Sequence, residues 1–359
     1  MRQSAKRYQT GQRRRGAGNM LRRLAVVVAL LAGVWPALPA VATTWELLTP
    51  FAPDDFETRN LEQFAAEVGA ASEGRLTLVV LPAPPQLQGE GLMRAVAAGR
   101  VPAGEFMLAD AGDAAVFQVD RLPFLARDFD QARALWEASR PVLQPSLEAS
   151  GLQVAIVVPR PPRGLFVSRE LWTIEDFRGV RLLNDGPLAA ALAPLLGMQP
   201  VPLPASASAS ASTSALAAGP LASGFKSNRI DAAVADAPAG VAEKIWTVVG
   251  NFYDLRIALP KSALVFNRAA VLALDEESQR ALLNAAVNAQ NRGWQGSAAA
   301  HNAALDELQA NGMTVAVLPP ETAPRLAPLG DAPARDWARR AGPDGERILA
   351  TYRASQPPR

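Results

Sequence analysis

Few residues in this chain are of types that catalyse reactions or bind metal ions. The 359-residue sequence has no cysteine and a single histidine, His301. Disulfides, thiolate metal sites and a cysteine nucleophile are therefore excluded, as are metal sites of the His/Cys kind. We expect His301 to be a solvated or partly packed helix residue, because no Gly-x-Ser-x-Gly nucleophile motif accompanies it. The sequence predicts no catalytic residue, no cofactor and no metal.

Paired acids are the remaining candidates for acid-base chemistry. Asp54-Asp55 and Glu276-Glu277 fall at expected turns or helix starts, where a carboxylate commonly caps the helix. The glycine patterns of nucleotide-binding loops are missing. A hydrolase that uses carboxylates alone stays open as an alternative. No motif indicates one, and we predict that the protein is not an enzyme.

The N-terminal 42 residues have the composition of an export signal. Eight Lys/Arg and no acid precede Leu24, and an apolar run then extends to Trp35. This run is shorter than the ~20 residues that cross a bilayer, and small residues follow it. We predict a signal peptide that is cleaved after Ala42, and hence a periplasmic protein. A retained membrane anchor is the alternative, and Met20 opens a more ordinary leader than Met1 does.

Loss of the leader reverses the sign of the net charge. The whole chain carries +2, whereas 28 of its 36 basic residues and all 34 acidic residues lie after position 42, which gives −6. A basic character that would favour nucleic acid therefore belongs to the leader alone. The remaining 317 residues and the 49% hydrophobic content indicate a soluble protein of two domains, because single cores stop growing near ~250–300 residues.

Apolar periodicity predicts an α/β fold. Strand 45–48, helix 56–71 and strand 75–81 form a βαβ unit, which implies a parallel sheet. Further helices are expected at 91–98, 130–150, 188–196 and 239–249, and strands or short apolar runs at 105–108, 153–158, 165–167, 180–183, 230–235 and 263–266. Residues 205–218, ASASASASTSALAA, form a low-complexity stretch that we interpret as a flexible insertion.

The longest helical pattern covers residues 275–311. Acids occupy its first turn and Asn311-Gly312 forms its stop signal. At about 1.5 Å per residue it reaches ~55 Å, which exceeds the width of a small domain. We expect a kink at Gly293, and a helix of this length could tie two lobes together.

Several runs, taken in order, resemble the DctP-type family of TRAP (tripartite ATP-independent periplasmic) transporter solute-binding proteins. They are GRLTLVV, GEFMLAD, VDRLPFLARDFDQARALWEASRP, PPRGLF and VFNRAAVLALDEESQRALLNAA, and the match extends with gaps over 45–352. The resemblance implies a periplasmic-binding-protein-like fold, with lobe I at 43–162 plus 258–299 and lobe II at 163–257 plus 300–355. It also implies a cleft that closes on a small, organic-acid-like solute. The partners implied are the membrane permease subunits, which use an ion gradient.

The resemblance also points to individual binding residues. Arg163 in PPRGLF stands where a ligand-contacting side chain occurs in the family, and we expect it to bind the solute. Glu105 matches the family's Gly-Glu at a strand start facing the cleft, with a capping or turn acid as the alternative. Asp236 stands where other members have Asn, Ser or Glu.

The expected carboxylate clamp is incomplete at Leu183, where the family commonly has Arg. Arg181 lies two residues earlier and could substitute, although a solvated strand-end Arg is the plainer interpretation. Asn184 and Asp185 could contact the ligand or form a turn, and Phe166 could touch its apolar part or lie in the core. We predict a TRAP-type receptor with an altered pocket. The second hypothesis is a pseudo-receptor or sensor that keeps the fold, motivated by the Ala/Ser-rich stretch beside the predicted cleft.

Overall fold

Two mixed β-sheets form the centre of the molecule. The computed structural model describes residues 42–202, 220–319 and 322–356. Its strands are β1 Thr43–Thr49, β2 Leu76–Pro82, β3 Ala103–Met107, β4 Leu152–Pro159, β5 Arg163–Val167, β6 Arg181–Asn184, β7 Gln199–Pro202, β8 Ala232–Asp236, β9 Asn251–Tyr253, β10 Lys261–Asn267 and β11 Thr314–Ala316. Sheet A has the order β2-β1-β3-β10-β4 and sheet B the order β11-β9-β5-β8-β6-β7. The α/β class is as predicted.

The helices flank these sheets. They are α1 Phe56–Ala71, α2 Glu90–Ala97, α3 Phe129–Ala149, α4 Pro187–Leu196, α5 Pro220–Lys226, α6 Ala237–Ala242, α7 Arg268–Leu272, α8 Glu276–Ala310, α9 Ala323–Leu326 and α10 Asp331–Ala354. Helix α10 bends at Gly342, where φ is 67°, and packs against α3. No helix within the described ranges is long and apolar enough to cross a membrane. The low-complexity stretch 205–218 lies outside the described residues.

The predicted βαβ unit is confirmed at one edge of sheet A. β1 and β2 pair in parallel from Thr43↔Leu76 to Thr49↔Pro82, with α1 between them in the sequence. The apolar side of α1 is buried, as Phe64 and Val68 show with 0% exposure. Asp55 begins the helix, and its side chain accepts a hydrogen bond from the Glu57 amide. The expected capping role of an acid at this position is thus confirmed.

Two segments connect the sheets side by side. Residues 160–162 lead from β4 to β5, and residues 254–260 return from β9 to β10. They are joined by backbone hydrogen bonds from Arg160 N to Pro260 O (2.8 Å), from Arg163 N to Ala258 O (2.9 Å) and from Ile257 N to Arg163 O (2.7 Å). The start of β5 therefore lies beside residues 257–258, and the start of β10 lies opposite the end of β4.

Helix α8 runs beside both sheets without a break. Its 35 residues correspond to ~52 Å, and it packs against α1 and β4 near one end and against α6 and β11 near the other. The expected kink at Gly293 is not found. A Cβ at this position would lie 2.5 Å from Cγ2 of Val158, so the glycine allows the helix to approach β4 closely.

Two other expectations are corrected by the structure. The helix expected at 239–249 ends at Ala242, because Lys244 has a positive φ of 48° that no α-helix accommodates. His301 is neither solvated nor partly packed: it is 1% exposed, and its Nε2 lies 3.2 Å from Oδ2 of Asp254. Its long helix turns it towards the connecting segment 254–260, which covers it.

A fully buried ion pair secures the start of β10. Lys261 Nζ lies 2.5 Å from Oδ1 of Asp120, and their side chains are 0% and 2% exposed. Asp120 belongs to the 3-10 helix Ala115–Arg121, which packs against α10. The pair therefore links the returning segment to the helices beside sheet A. A buried charge that loses its partner is costly, because water cannot solvate it.

We predict that Lys261→Met lowers the free energy of unfolding by ~3–5 kcal/mol, because it strands the Asp120 carboxylate in the interior. The double variant Lys261→Met/Asp120→Leu should recover part of that loss, since both charges are then absent. Urea denaturation of the chain without its leader measures both values. Lys226→Met, at an exposed lysine, is the matched control and should change stability by less than ~0.5 kcal/mol. Equal stability of the wild type and the single variant would contradict the prediction.

Candidate functional site

One edge of sheet B collects polar side chains from three strands. Arg163 opens β5 directly opposite Asp236, the last residue of β8. β6 runs parallel to β8, so Asn184 and Asp185, at its end, lie at the same edge. Ligands of open α/β sheets bind outside the carboxyl ends of parallel strands, where connections diverge. We therefore place the candidate site at this edge.

Arg163 provides the positive charge of this edge. Its Nη1 lies 3.1 Å from Oδ2 of Asp236, and its side chain is 15% exposed. No other hydrogen bond or ion pair engages the guanidinium among the described residues. The other oxygen of Asp236 accepts from the Ala239 amide (2.9 Å) and so caps α6. Asp236 is thus occupied by its own structural partners, while Arg163 keeps donors for a ligand.

Asp185 is a half-buried carboxyl at the same sheet edge as Arg163. Burial raises the pKa of Asp185, and the positive charge of Arg163 offsets only part of that effect. Asn184 precedes it at the end of β6 and is also half-buried. The structure places Arg163, Asp236, Asn184 and Asp185 at one sheet edge, and their role in binding a solute stays a prediction.

Arg160 is the second cation in the region where the two sheets meet, which we call the junction. Its partners belong to the sheet A side. Its guanidinium bonds both oxygens of Asp55, at 2.8 and 3.0 Å, and lies 3.6 Å from Oε1 of Glu57. It also stacks 4.3 Å from the ring centre of Phe51. Burial alone lowers the pKa of Arg160, but the carboxylates of Asp55 and Glu57 outweigh it and the pKa lies above its usual value. The charge of Asp236 also raises the pKa of Arg160. Charged groups of sheet A and sheet B therefore interact across the junction.

Two buried glutamates lie beside this cation. Glu57 is 1% exposed and Glu105 is 3% exposed. Ser262 Oγ lies 2.8 Å from Oε2 of Glu57 and 3.3 Å from Oε1 of Glu105, and Thr49 Oγ1 donates to Glu105 Oε2 at 2.7 Å. Burial raises the pKa of both carboxyls, most strongly that of Glu57. The two carboxyls also act on each other, which raises the pKa of Glu57 further and lowers that of Glu105.

Glu105 therefore has neither of the plainer roles that its sequence position allows. It lies inside β3, with every residue of that strand buried, and it caps no helix. Its hydroxyl partners come from β1 and β10, on either side of β3.

Three predicted positions lie away from the polar edge. Arg181 starts β6, at the opposite end of the strand, and bonds Asp231 at 2.6 and 2.9 Å and the Asn228 carbonyl at 2.6 Å. Phe166 is 0% exposed, with its ring centre 4.5 Å from that of Phe252 in the core. Leu183 is 2% exposed within the same apolar cluster.

Sequence reasoning did not identify Arg160, Asp55, Glu57 and Ser262 as parts of this junction. Their partners are far apart in the chain: 105 residues separate Arg160 from Asp55, and 205 separate Ser262 from Glu57. One signal was available, since Arg160 and Arg163 flank Pro161-Pro162 and rigid loops that join elements often carry binding residues.

The raised pKa of Glu57 predicts a pH-dependent difference between wild type and Glu57→Gln. A raised pKa in the folded state means that the native protein binds the proton more tightly. The free energy of unfolding therefore falls as the pH rises from the usual glutamate value of 4.5 towards the raised one. Glutamine is neutral at every pH, so the Tm of the variant should gain over that of wild type as the pH rises through this range.

Differential scanning fluorimetry across this range tests the Glu57→Gln prediction. Glu62→Gln, at an exposed glutamate of the same helix, should follow the wild-type profile. Parallel profiles of Glu57→Gln and wild type would show that Glu57 holds no extra proton.

Comparison with known proteins shows the family to which the chain belongs. The sequence pattern of DctP, bacterial extracellular solute-binding protein family 7, matches residues 49–332. Two Bordetella pertussis extracytoplasmic solute receptors that bind pyroglutamic acid, DctP7 and DctP6, are 30% and 29% identical to the chain. Each has a TM-score of 0.74 and covers 87% of this chain and 100% of its own. No curated protein sequence matches at a significant level.

A third solved structure adds to the comparison. A marine metagenome TRAP solute-binding protein, in complex with co-purified pyroglutamate, is 26% identical, with a TM-score of 0.72, and covers 87% of this chain and 99% of its own. Such proteins are two-lobed extracytoplasmic receptors and not enzymes. The chain belongs to the DctP family of TRAP-type solute-binding receptors.

Proposed function

We propose that this protein captures a small carboxylate-bearing solute between its two sheets and delivers it to the membrane permease subunits of a TRAP transporter. The observation that carries the proposal is the state of Arg163. This guanidinium lies at the junction of the sheets, has one ion pair to Asp236, and is still partly exposed. A carboxylate is the ligand that its remaining donors fit, because the planar fork can bond both carboxylate oxygens.

Among the residues that the structure describes, no second arginine at this edge has donors left to share this task. Leu183, where the family commonly has Arg, is packed in the core. The guanidinium of Arg160 donates to Asp55, and the guanidinium of Arg181 donates to Asp231. We therefore propose that a single arginine binds the solute carboxylate. Pyroglutamate is the first solute to test, since the three solved relatives bind it.

The pseudo-receptor hypothesis rests on residues 205–218, which lie outside the described residues. A thermal-shift screen separates the two functions, because a ligand that binds only the native state raises Tm. The proposed receptor should gain Tm with at least one organic acid.

Isothermal titration of L-pyroglutamate into Arg163→Ala tests the role of Arg163. We expect the affinity to fall roughly 10- to 100-fold, which corresponds to the loss of charge-assisted hydrogen bonds worth ~1.5–3 kcal/mol. Arg181→Ala is the matched control and should bind within about twofold of wild type, since the donors of Arg181 already have protein partners. Unchanged affinity in Arg163→Ala, or an equal loss in both variants, would remove Arg163 from the site.

Export supplies a further test of the proposed function. We propose that the leader is cleaved after Ala42, which places the first strand, β1, at the new N-terminus. Expression of the full chain with its leader in a Gram-negative host should yield soluble periplasmic protein. N-terminal sequencing should read Thr-Thr-Trp-Glu, beginning at Thr43. A product that stays in the membrane fraction and keeps its leader would favour the anchor alternative.

A further inference from the structure

Asp185 differs from the other acids at the junction because no residue among those that the structure describes binds its carboxylate. It makes no ion pair and no hydrogen bond to the side chain or backbone of another described residue. Asp236, by contrast, uses one oxygen for the Ala239 amide and the other for Arg163. Asp55 uses both oxygens for Arg160.

The position of Asp185 points its role towards the ligand. It directly follows Asn184, the last residue of β6, and β6 runs parallel to β8, so Asp185 lies at the sheet edge where Arg163 and Asp236 pair. The positive charge of Arg163 acts on its carboxyl. The structure therefore places an acceptor with unused lone pairs at the same sheet edge as a donor with unused N–H groups.

An ordinary carboxylate satisfies only half of this arrangement. Its oxygens accept from Arg163, but they repel Asp185 and offer it no hydrogen. Enclosing such a solute would leave a desolvated carboxylate without a partner, which costs ~1–3 kcal/mol or more. A solute that also carries an N–H or O–H group beside its carboxylate satisfies both residues at once.

We propose that Asp185 determines specificity by accepting a hydrogen bond from an N–H or O–H group of the solute. That group is attached to the carbon that carries the solute's carboxylate. The solute class is then lactam, α-amino and α-hydroxy acids, rather than simple carboxylic acids. This inference rests on the proposed function, in which Arg163 binds the carboxylate. Asp185 adds the second point of recognition and excludes acids that lack the donor.

Matched pairs of solutes test the proposal. L-pyroglutamate is compared with its lactone isostere 5-oxotetrahydrofuran-2-carboxylate, in which the ring N–H becomes an oxygen, and L-lactate is compared with propionate. Isothermal titration of the chain without its leader should show the donor-bearing member of at least one pair binding at least ~10-fold more tightly. In Asp185→Ala the ratio should fall to within about twofold, mainly through weaker binding of the donor-bearing acid.

Two variants control for misfolding and for a general effect of removing an acid. Asp185→Asn is nearly isosteric and keeps a neutral acceptor oxygen, so it should fold normally and retain an intermediate ratio. Asp306→Ala removes an exposed acid of α8 and should keep the full wild-type ratio.

The outcomes separate this inference from the proposed function. Equal binding of both members of each pair by wild type, or a full ratio in Asp185→Ala, overturns the role of Asp185. If Arg163→Ala still loses binding of both members in that case, the proposed carboxylate site stands. Failure of all four acids to bind wild type overturns both the role of Asp185 and the carboxylate assignment.

Discussion

The antiparallel pairing of the two connecting segments is the constraint on which the polar junction depends. Backbone hydrogen bonds link Arg160 to Pro260 and Arg163 to both Ala258 and Ile257. Pro161 and Pro162 fix the backbone between the two arginines. One guanidinium is thereby assigned to the acids of sheet A and the other to those of sheet B. Without this pairing, neither arginine would have a defined position relative to the sheet edges.

Electrostatics then decide which groups are left for a ligand. Asp55, Glu57, Glu105, Asp185 and Asp236 lie around two arginines, so the junction would be strongly negative if every acid were ionised. Burial opposes this, since it raises the pKa of Glu57 and so favours its protonated form. The excess negative charge is reduced on the sheet A side. Arg163 can therefore attract an anion even though acids outnumber bases around it.

The sequence predicts local features well and the junction poorly. The βαβ unit, the acid that caps α1 and the long helix α8 all follow from patterns within a few turns of the chain. The helix expected at 188–196 is also found, and Gly197 ends it with a φ of 66°. These features depend on neighbouring residues, so a single sequence contains their determinants.

Pairing between strands that are far apart in the chain cannot be predicted by the same reasoning. β10 inserts antiparallel between β3 and β4, although more than 100 residues separate it from either in the chain. This insertion brings Ser262 between the two buried glutamates and Lys261 to Asp120. The alternation of side chains along β6 suggested that Arg181 could replace the cation missing at Leu183. In the structure Arg181 lies at the other end of the strand and donates to Asp231. Such partnerships depend on sheet order, which periodicity does not encode.

The unbroken course of α8 has a mechanical consequence. A helix that packs against both halves and contains no proline resists bending. The distance between the sheets therefore depends on the curvature of this helix. Its midsection holds buried polar atoms without hydrogen-bond partners, Ser297 Oγ and His301 Nδ1, within the part of the chain that the structure describes. They lie between the close contact of Gly293 with Val158 and the buried Leu308. A change in the gap between the sheets would therefore require the helix to bend or its contacts near one end to repack.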